Sequence, residues 1–365
     1  MSVIVLMAGG TGGHLFPAMA LAQELRRRGH VIHLMTDERV AGYGDDFPAS
    51  QTHIVPSATP SIRNPLKFVM AMAKLAWGTI VAWRMLGGVK ADAAVAFGGY
   101  PTVPSFLAAR LRGVPGILHD SNAVLGRANH ALARFANVVA LSFAKTVRIE
   151  GFETKVALTG NPVRDRVRAV ADTPYPPLGA GHPINLLVFG GSQGARVFAE
   201  LVPAAIEMLP PELRSRLRLV QQCRPEDLER VAEAYRQARV NVELAPFFAD
   251  LPERIANSHL VISRSGASTV AELCIIGRPA ILVPLPGAID ADQKMNALVL
   301  DNAGGGWIAD QSELSPMVLA GRLKSLFDVP ERMERAGVIA KSLGRPDAVA
   351  LLADLAEKLA PGKKS

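Results

Sequence analysis

A chain of 365 residues is too long for one ordinary core, so two domains are expected. Hydrophobic residues make up 49% and aromatics only 5%, an aliphatic balance that suits α/β cores, and two cysteines, Cys223 and Cys274, exclude a disulfide framework or a cysteine metal site. The net charge of +7 lies wholly in the first half: through Pro162 there are 16 Lys plus Arg against 9 Asp plus Glu, and the remainder balances at 24 each. A basic half points to an anionic membrane or polyanionic substrate, or is simply solvated surface.

In chain order, Val3-Ile-Val-Leu-Met7 is a wholly apolar run, as a strand buried in a parallel sheet requires. It starts so early that no signal peptide is expected, which suits a cytoplasmic protein. The turn Gly9-Gly-Thr-Gly-Gly13 leads into a helix over residues 14–28, with Pro17 in its first turn and Gly29 ending it. Strands follow at 31–35, 93–97, 116–119, 138–142 and 156–159, with helices such as 103–111 and 125–135 between them. This alternation specifies a doubly wound parallel sheet. Residues 172–183, rich in Pro and Gly, read as an interdomain linker or lead-in. The pattern then restarts. A strand at 184–189, the turn Gly190-Gly-Ser-Gln-Gly194 and a helix at 195–209 precede strands at 217–221, 240–244, 260–263 and 280–284 and helices at 226–237, 269–276 and 292–302. A last helix, 347–359, is free to pack on either domain.

Both glycine turns present bare amides at a helix N-terminus, a ready phosphate site. Neither is a dinucleotide fingerprint or a P-loop. The second also spells Gly-x-Ser-x-Gly with Ser192 as a nucleophile, but only His259 follows it, at the start of a strand expected to be buried. Asp290-Ala-Asp292 has a metal-binding spacing or caps the helix after it. Thr269 and Glu272 have capping-box spacing; Glu272 also suits ribose hydroxyls. His14, beside the first turn, is a candidate general base or a structural histidine. Residues 66–86 approach bilayer-spanning length, yet Lys67, Lys74 and Arg84 interrupt them and they fall between strands of one sheet. Phe68, Met72, Trp77 and Trp83 beside basic residues suggest a surface that touches a membrane rather than crossing it.

Seven blocks in register carry a resemblance: Gly9-Gly-Thr-Gly-Gly-His14, Gly98-Gly-Tyr-Pro101, Asn122-Ala-Val-Leu-Gly126, Gly160-Asn-Pro-Val-Arg164, Gly190-Gly-Ser-Gln-Gly-Ala-Arg196, Arg264-Ser-Gly-Ala267 and Gln293-Lys-Met-Asn-Ala297. From Val3 to about Arg345 the chain resembles the MurG family of bacterial N-acetylglucosaminyltransferases. The resemblance implies a GT-B fold: an N-terminal acceptor and membrane-facing domain over 1–162, a C-terminal UDP-sugar domain over 163–345, and a C-terminal helix and tail over 346–365, with a cleft between the domains. It implies inverting transfer of N-acetylglucosamine from its UDP conjugate to the 4-hydroxyl of undecaprenyl-diphospho-muramoylpentapeptide, at the cytoplasmic face of the plasma membrane. Donor contacts are implied at Thr11, Gly12, Gly13, Asn122, Arg164, Ser192, Phe248, Ala267, Ser268, Thr269, Glu272 and Gln293. Tyr100, Thr102 and His119 are expected on the acceptor side. No cofactor, metal or nucleic acid is expected. Asp120-Ser121 departs from the family's usual Glu-Gln, Thr102-Val103 from a Ser-Gly-like step, and Asp292 from a frequent histidine. Another GT-B glycolipid transferase, or a non-catalytic nucleotide-sugar sensor, would share most of these features.

Overall fold

A computed structural model describes residues 1–9, 12–42, 47–60, 64–179, 181–191, 194–288 and 290–360. Strands β1 to β7 are Val3–Met7, Val31–Thr36, Gln51–Ile54, Ala93–Ala96, Gly116–Asp120, Val138–Leu141 and Val156–Leu158. Strands β8 to β13 are Ile184–Phe189, Leu217–Gln222, Val242–Ala245, Leu260–Ser263, Ala280–Leu282 and Gly306–Ile308. Helices α1 to α7 are Gly12–Arg27, Pro65–Val89, Thr102–Leu111, Arg127–Ala133, Asp165–Ala169, Arg196–Glu207 and Pro211–Arg214. Helices α8 to α14 are Leu228–Gln237, Leu251–Ala256, Ala267–Ile276, Asp292–Ala303, Pro316–Phe327, Pro330–Ser342 and Ala348–Leu359.

The chain forms two units, Met1–Asp165 joined by Arg345–Ser365, and Arg166–Gly344. Unit 1 carries a parallel sheet in the order β3-β2-β1-β4-β5-β6-β7, and unit 2 one in the order β10-β9-β8-β11-β12-β13. In both, the chain reverses its direction across the sheet beside the first strand, at β1/β4 and β8/β11. The carboxyl ends of those strands form the crevice where open α/β sheets bind ligands.

Several expectations are corrected. Helix α1 begins at Gly12, so Pro17 is its sixth residue and sits inside the helix; it removes the hydrogen bond to the carbonyl four residues back. Strand β10 starts two residues later than expected. Strand β3, Gln-Thr-His-Ile, is an exposed edge strand with no apolar run to reveal it. Strand β13 is three residues long and depends on Gly306, where a Cβ would come within 2.8 Å of the Ala280 carbonyl. Helices α12 and α13 went unread, although Ser315-Pro316 and Val329-Pro330 mark their starts.

Residues 172–183 lie inside unit 2 and serve as its lead-in. Arg278, only 2% exposed, holds this strap. Its guanidinium donates to the carbonyls of Thr173 (3.1 Å), Pro174 (2.8 Å), Ala256 (2.9 Å) and Ile276 (3.0 Å). The Tyr175 hydroxyl adds a bond to the His259 carbonyl (2.7 Å). The last helix, α14, packs on α1 and β4 of unit 1. It buries Leu352, Ala353 and Ala356 in that core, while Arg28 reaches Asp354 (2.6 Å) and Glu357 (2.8 Å).

Helix α2 is the one described helix long and apolar enough to cross a membrane by length and composition. It buries only the stripe Ala71, Leu75, Gly78, Ala82 and Leu86. Gly78 is needed there, since a Cβ would stand 2.0 Å from the Pro56 carbonyl oxygen. Met70, Trp77, Ile80 and Trp83 face outward, Trp77 at 54% exposure.

Replacing Arg278 by Leu orphans several buried carbonyls at once. Urea unfolding of the Arg278→Leu chain should show unit 2 destabilised by about 3 kcal/mol. A change within about 0.5 kcal/mol, the range of ordinary surface substitutions, would show that the strap does not depend on it.

Candidate functional site

In unit 1 the loops after β1 and β4 close around His14. The third residue of α1, it is part-buried. A Cβ at Gly99 would come within 3.2 Å of its Nε2, one at Gly98 within 3.5 Å of its Cε1, and one at Gly9 within 3.7 Å of its Cδ2. Gly98 and Gly99 also have φ of +88° and +78°, which disfavours any side chain there. Glycines thus let the imidazole lie against bare backbone at the head of a helix. Gly12 is buried against the Phe16 ring and Gly13 is exposed. The Arg164 guanidinium stacks on the other partner of this cluster, 3.9 Å from the Phe16 ring centre. A positive charge is therefore held beside the α1 N-terminus. Thr11 lies outside the described residues.

Beneath His14 sits a buried polar network. The Asp120 carboxylate accepts from the amides of Asn122 (3.0 Å) and Gly126 (2.8 Å) and from Asn129 Nδ2 (2.9 Å). It folds the 120–126 loop on itself, and so presents part-buried Asn122. This answers the departure from the family's glutamate: the shorter acid is consumed as a loop brace. Burial raises its pKa, against those three donors. His119 is wholly buried, its Nε2 3.1 Å from the Gly160 carbonyl, and burial pushes it down to about 4. Thr102 is wholly buried as well, its hydroxyl donating to the Gly99 carbonyl (2.9 Å). His119 and Thr102 are both enclosed and brace the Gly98–Pro101 turn or its neighbours, and Tyr100 alone of the three has accessible surface.

In unit 2 the turn after β8 again needs glycine. A Cβ at Gly190 would fall 2.3 Å from the Ala195 amide nitrogen, and Gly191 and Gly194 have φ of +87° and +67°. Ser192 and Gln193 lie outside the described residues. Gln222, at the end of β9, ties this turn to the next loop: its Oε1 accepts from the Gly190 amide (3.0 Å), and its Nε2 donates to the carbonyls of Gly191 (3.0 Å) and Pro246 (3.1 Å). Sequence reasoning missed Gln222; a glutamine closing an apolar strand was the available signal. Phe248, two residues beyond Pro246, is buried under the Arg254 guanidinium.

The second turn of unit 2 follows β11. Helix α10 starts at Ala267 with Gly266 as its N-cap, so Ala267, Ser268 and Thr269 form its first turn and the expected Thr269–Glu272 capping box is not formed. Glu272 is buried one turn further on. Gln293 is locked to this region. Its Oε1 accepts from the Leu285 amide (2.9 Å) and its carbonyl accepts from Ser265 Oγ (2.8 Å), while Asn296 donates to the Ser265 carbonyl (3.2 Å). The Asp290/Asp292 pair does not cap α11: the N-cap is Ala291, at φ +50°, and Asp292 stands in the first turn. No group of three or more potential metal-ligating acids, histidines or cysteines exists among the described residues. His259 belongs to the framework, its Nδ1 accepting from the Asn185 amide (2.8 Å). It is 2% exposed, which removes the proposed partner of a Ser192 nucleophile.

Two models of glycosyltransferase family 28 match the chain, its N-terminal domain over residues 4–141 and its C-terminal domain over 185–352. A protein of Methylobacterium nodulans is 52% identical over 97% of this chain and 95% of its own length. One of Allorhizobium ampelinum is 48% identical over 99% and 96%. Both are named UDP-N-acetylglucosamine–N-acetylmuramyl-(pentapeptide) pyrophosphoryl-undecaprenol N-acetylglucosamine transferase. The crystal structure of Acinetobacter baumannii MurG superposes with a TM-score of 0.78 at 30% identity, covering 98% of this chain and all of that one. The chain is a member of the MurG family. A glycosyltransferase of kitacinnamycin, at 18% identity and a TM-score of 0.72, shares the fold. In this MurG-family chain the two glycine turns and the α10 N-terminus all stand at the carboxyl edges of parallel sheets.

The burial of His119 has a pH signature. Its folded pKa of about 4 lies below the ordinary 6.5, so between those values the unfolded chain binds a proton that the folded chain does not. This stability is complete above pH 6.5 and is lost as pH falls towards 4, by roughly 3 kcal/mol in all. Unfolding measured at pH 7 and pH 4.5 should show a smaller loss for His119→Gln than for the parent. Asp120, raised by burial, slopes the other way in both. Equal losses in the two proteins would refute the assignment.

Proposed function

We propose that this chain transfers N-acetylglucosamine from UDP-N-acetylglucosamine to the lipid-linked muramoyl-pentapeptide, adding it to the 4-hydroxyl with inversion. The observation that carries the reading is the pair of strand–glycine turn–helix sites at the two switch points, in a chain whose relatives bear that transferase name. The acceptor oxygen attacks the anomeric carbon as the bond to the diphosphate oxygen breaks. The electron pair leaves with UDP, and the hydroxyl proton passes to His14. A single displacement of this kind inverts the centre.

Unit 2 holds the nucleotide. Amides after β8 and in the first α10 turn, with Ser192, Ser268 and Thr269, take the phosphate oxygens and the charge growing on leaving UDP. The Phe248 backbone meets the base, Glu272 accepts from ribose hydroxyls, and Gln293 offers its free amide hydrogens to the sugar. Unit 1 presents the acceptor through Tyr100 and the His14 loop, with Thr11, Gly12, Gly13, Asn122 and Arg164 binding further phosphate or sugar oxygens. Its excess positive charge suits a lipid diphosphate.

Incubation with UDP-N-acetylglucosamine and a lipid-linked muramoyl-pentapeptide analogue should yield the disaccharide and UDP. Turnover of other glycolipids alone would assign another acceptor, and binding of the nucleotide sugar without turnover would make the chain a sensor. His14→Ala should lower kcat by roughly a hundredfold or more and abolish the acidic limb of its pH profile, with UDP affinity unchanged. An active variant with the parent's profile would remove His14 as the base.

Helix α2 lies against the cytoplasmic membrane surface. Its outward face carries Phe68, Met72, Trp77 and Trp83, and Arg112 stacks 4.0 Å over the Trp83 ring. Such a face is a peripheral anchor when basic residues flank it. Trp77→Glu with Met70→Glu should reduce sedimentation with anionic vesicles several-fold, leaving turnover of a short-chain soluble acceptor intact. Undiminished vesicle binding would place the anchor elsewhere.

A further inference from the structure

Unit 2 has a cavity of about 510 Å³ at the last strand of its sheet, β13, lined also from α12 and the start of α13. That volume falls within the usual span of small-molecule sites, about 300–1,000 Å³. None of its lining residues belongs to the seven family blocks or to the glycine turns.

The sheet edge decides what this groove can recognise. β13 is the edge strand, paired with β12. On its outer side the Ile308 amide donates to Asp301 Oδ1 (2.9 Å), and the Ile308 carbonyl accepts from Arg322 Nη1 (2.8 Å). With both groups taken, a further strand cannot add at Ile308, and recognition falls to side chains. Ile281 and Leu326 give the lining a buried apolar part, and Trp307, the register partner of Ile281, adds a half-buried indole. Arg322 and Arg332 bring two guanidiniums. The Arg332 Nη1 donates to Ser325 Oγ (3.0 Å), and neither arginine forms an ion pair with a carboxylate of the described residues. Asp301, the acid of the lining, is held by the Ile308 amide.

Gly321 opens the groove from the α12 side. It stands inside the helix, where glycine is less favourable than alanine. A Cβ there would meet no atom within 4 Å. Packing does not require the glycine, and its missing side chain leaves room in the cavity that it lines. An indole beside aliphatic side chains accepts a flat apolar ring, and guanidiniums without acid partners complement an anionic group.

We propose that this groove binds a small aromatic anion, its ring against Trp307 and its carboxylate, sulfonate or phosphate on Arg322 and Arg332. The site is separate from the transfer reaction and does not rest on that reading.

Calorimetric titration of the full-length protein with 2-naphthoate tests the assignment. 2-Naphthalenemethanol supplies the same ring without charge, and cyclohexanecarboxylate the same charge without an aromatic ring. 2-Naphthoate should bind at a single site with Kd below about 1 mM. Both controls should bind roughly tenfold more weakly. Arg332→Ala should weaken 2-naphthoate roughly tenfold. Gly321→Leu should fill the groove and abolish binding, with the circular dichroism spectrum unchanged. Saturating UDP should leave the affinity unaltered. Absence of saturable binding to the parent, equal binding of either control, or undiminished affinity in Arg332→Ala or Gly321→Leu overturns the proposal. Competition by UDP overturns it too, because it moves the anion to the nucleotide site. Arg332→Ala changes an exposed side chain and decides the matter however the leucine packs.

Discussion

Backbone room at the carboxyl edge of a parallel sheet is the constraint on which both candidate sites depend. A phosphate or an imidazole can approach main-chain amides closely only where no Cβ intervenes. At Gly190 a methyl group would overlap the Ala195 amide nitrogen; at Gly99 it would press on the His14 ring and at Gly98 on the Asn129 amide, both from backbone conformations that L side chains avoid. The parallel topology places these turns where helix N-termini begin, so open backbone and favourable dipole coincide.

Turns so exposed have little apolar packing of their own, and buried polar side chains hold them from beneath. Asp120 gathers three donors in unit 1, and Gln222 spans the glycine turn and the Pro246 loop in unit 2. Ser265, Gln293 and Asn296 lock the start of α10 to α11. These hydrogen bonds offset the desolvation of the groups that make them and restrict each loop to one shape. The same rule makes Arg278 a staple: one cation satisfies carbonyls from three separate stretches of chain.

Two apolar helices of unit 1 have opposite fates. Helix α14 buries a seam of Leu352, Ala353 and Ala356 against α1 and anchors its polar side through Arg28. Helix α2 packs through small residues and turns its largest apolar side chains outward. Close packing consumes Gly78 and the alanines, and little else of the helix is left to bury. An outward apolar face of that extent is a surface for another phase or partner.

The alternation of apolar runs with amphipathic stretches was enough to read two doubly wound sheets, because buried parallel strands admit few polar residues. The glycine turns were legible for the same local reason: clustered glycines between strand and helix have few other uses. Edge strand β3 and short β13 were not legible, since hydrogen bonds to neighbours distant in sequence define them, not their own composition. The helices after Ser315 and Val329 did carry start signals, Pro at the first helical positions, that apolar periodicity overshadowed. At the sites, sequence named His14, Arg164, Glu272 and Gln293 but could not separate ligand from brace. His119 and Thr102 proved buried, and the Thr269–Glu272 spacing lies inside α10 and not at its cap. Gln222 entered only when β9 was laid beside β8. Local propensity and glycine chemistry are properties of neighbouring residues, and the sequence determines them alone. Burial and partnership depend on which distant segments the sheet brings together, and only the tertiary structure decides them.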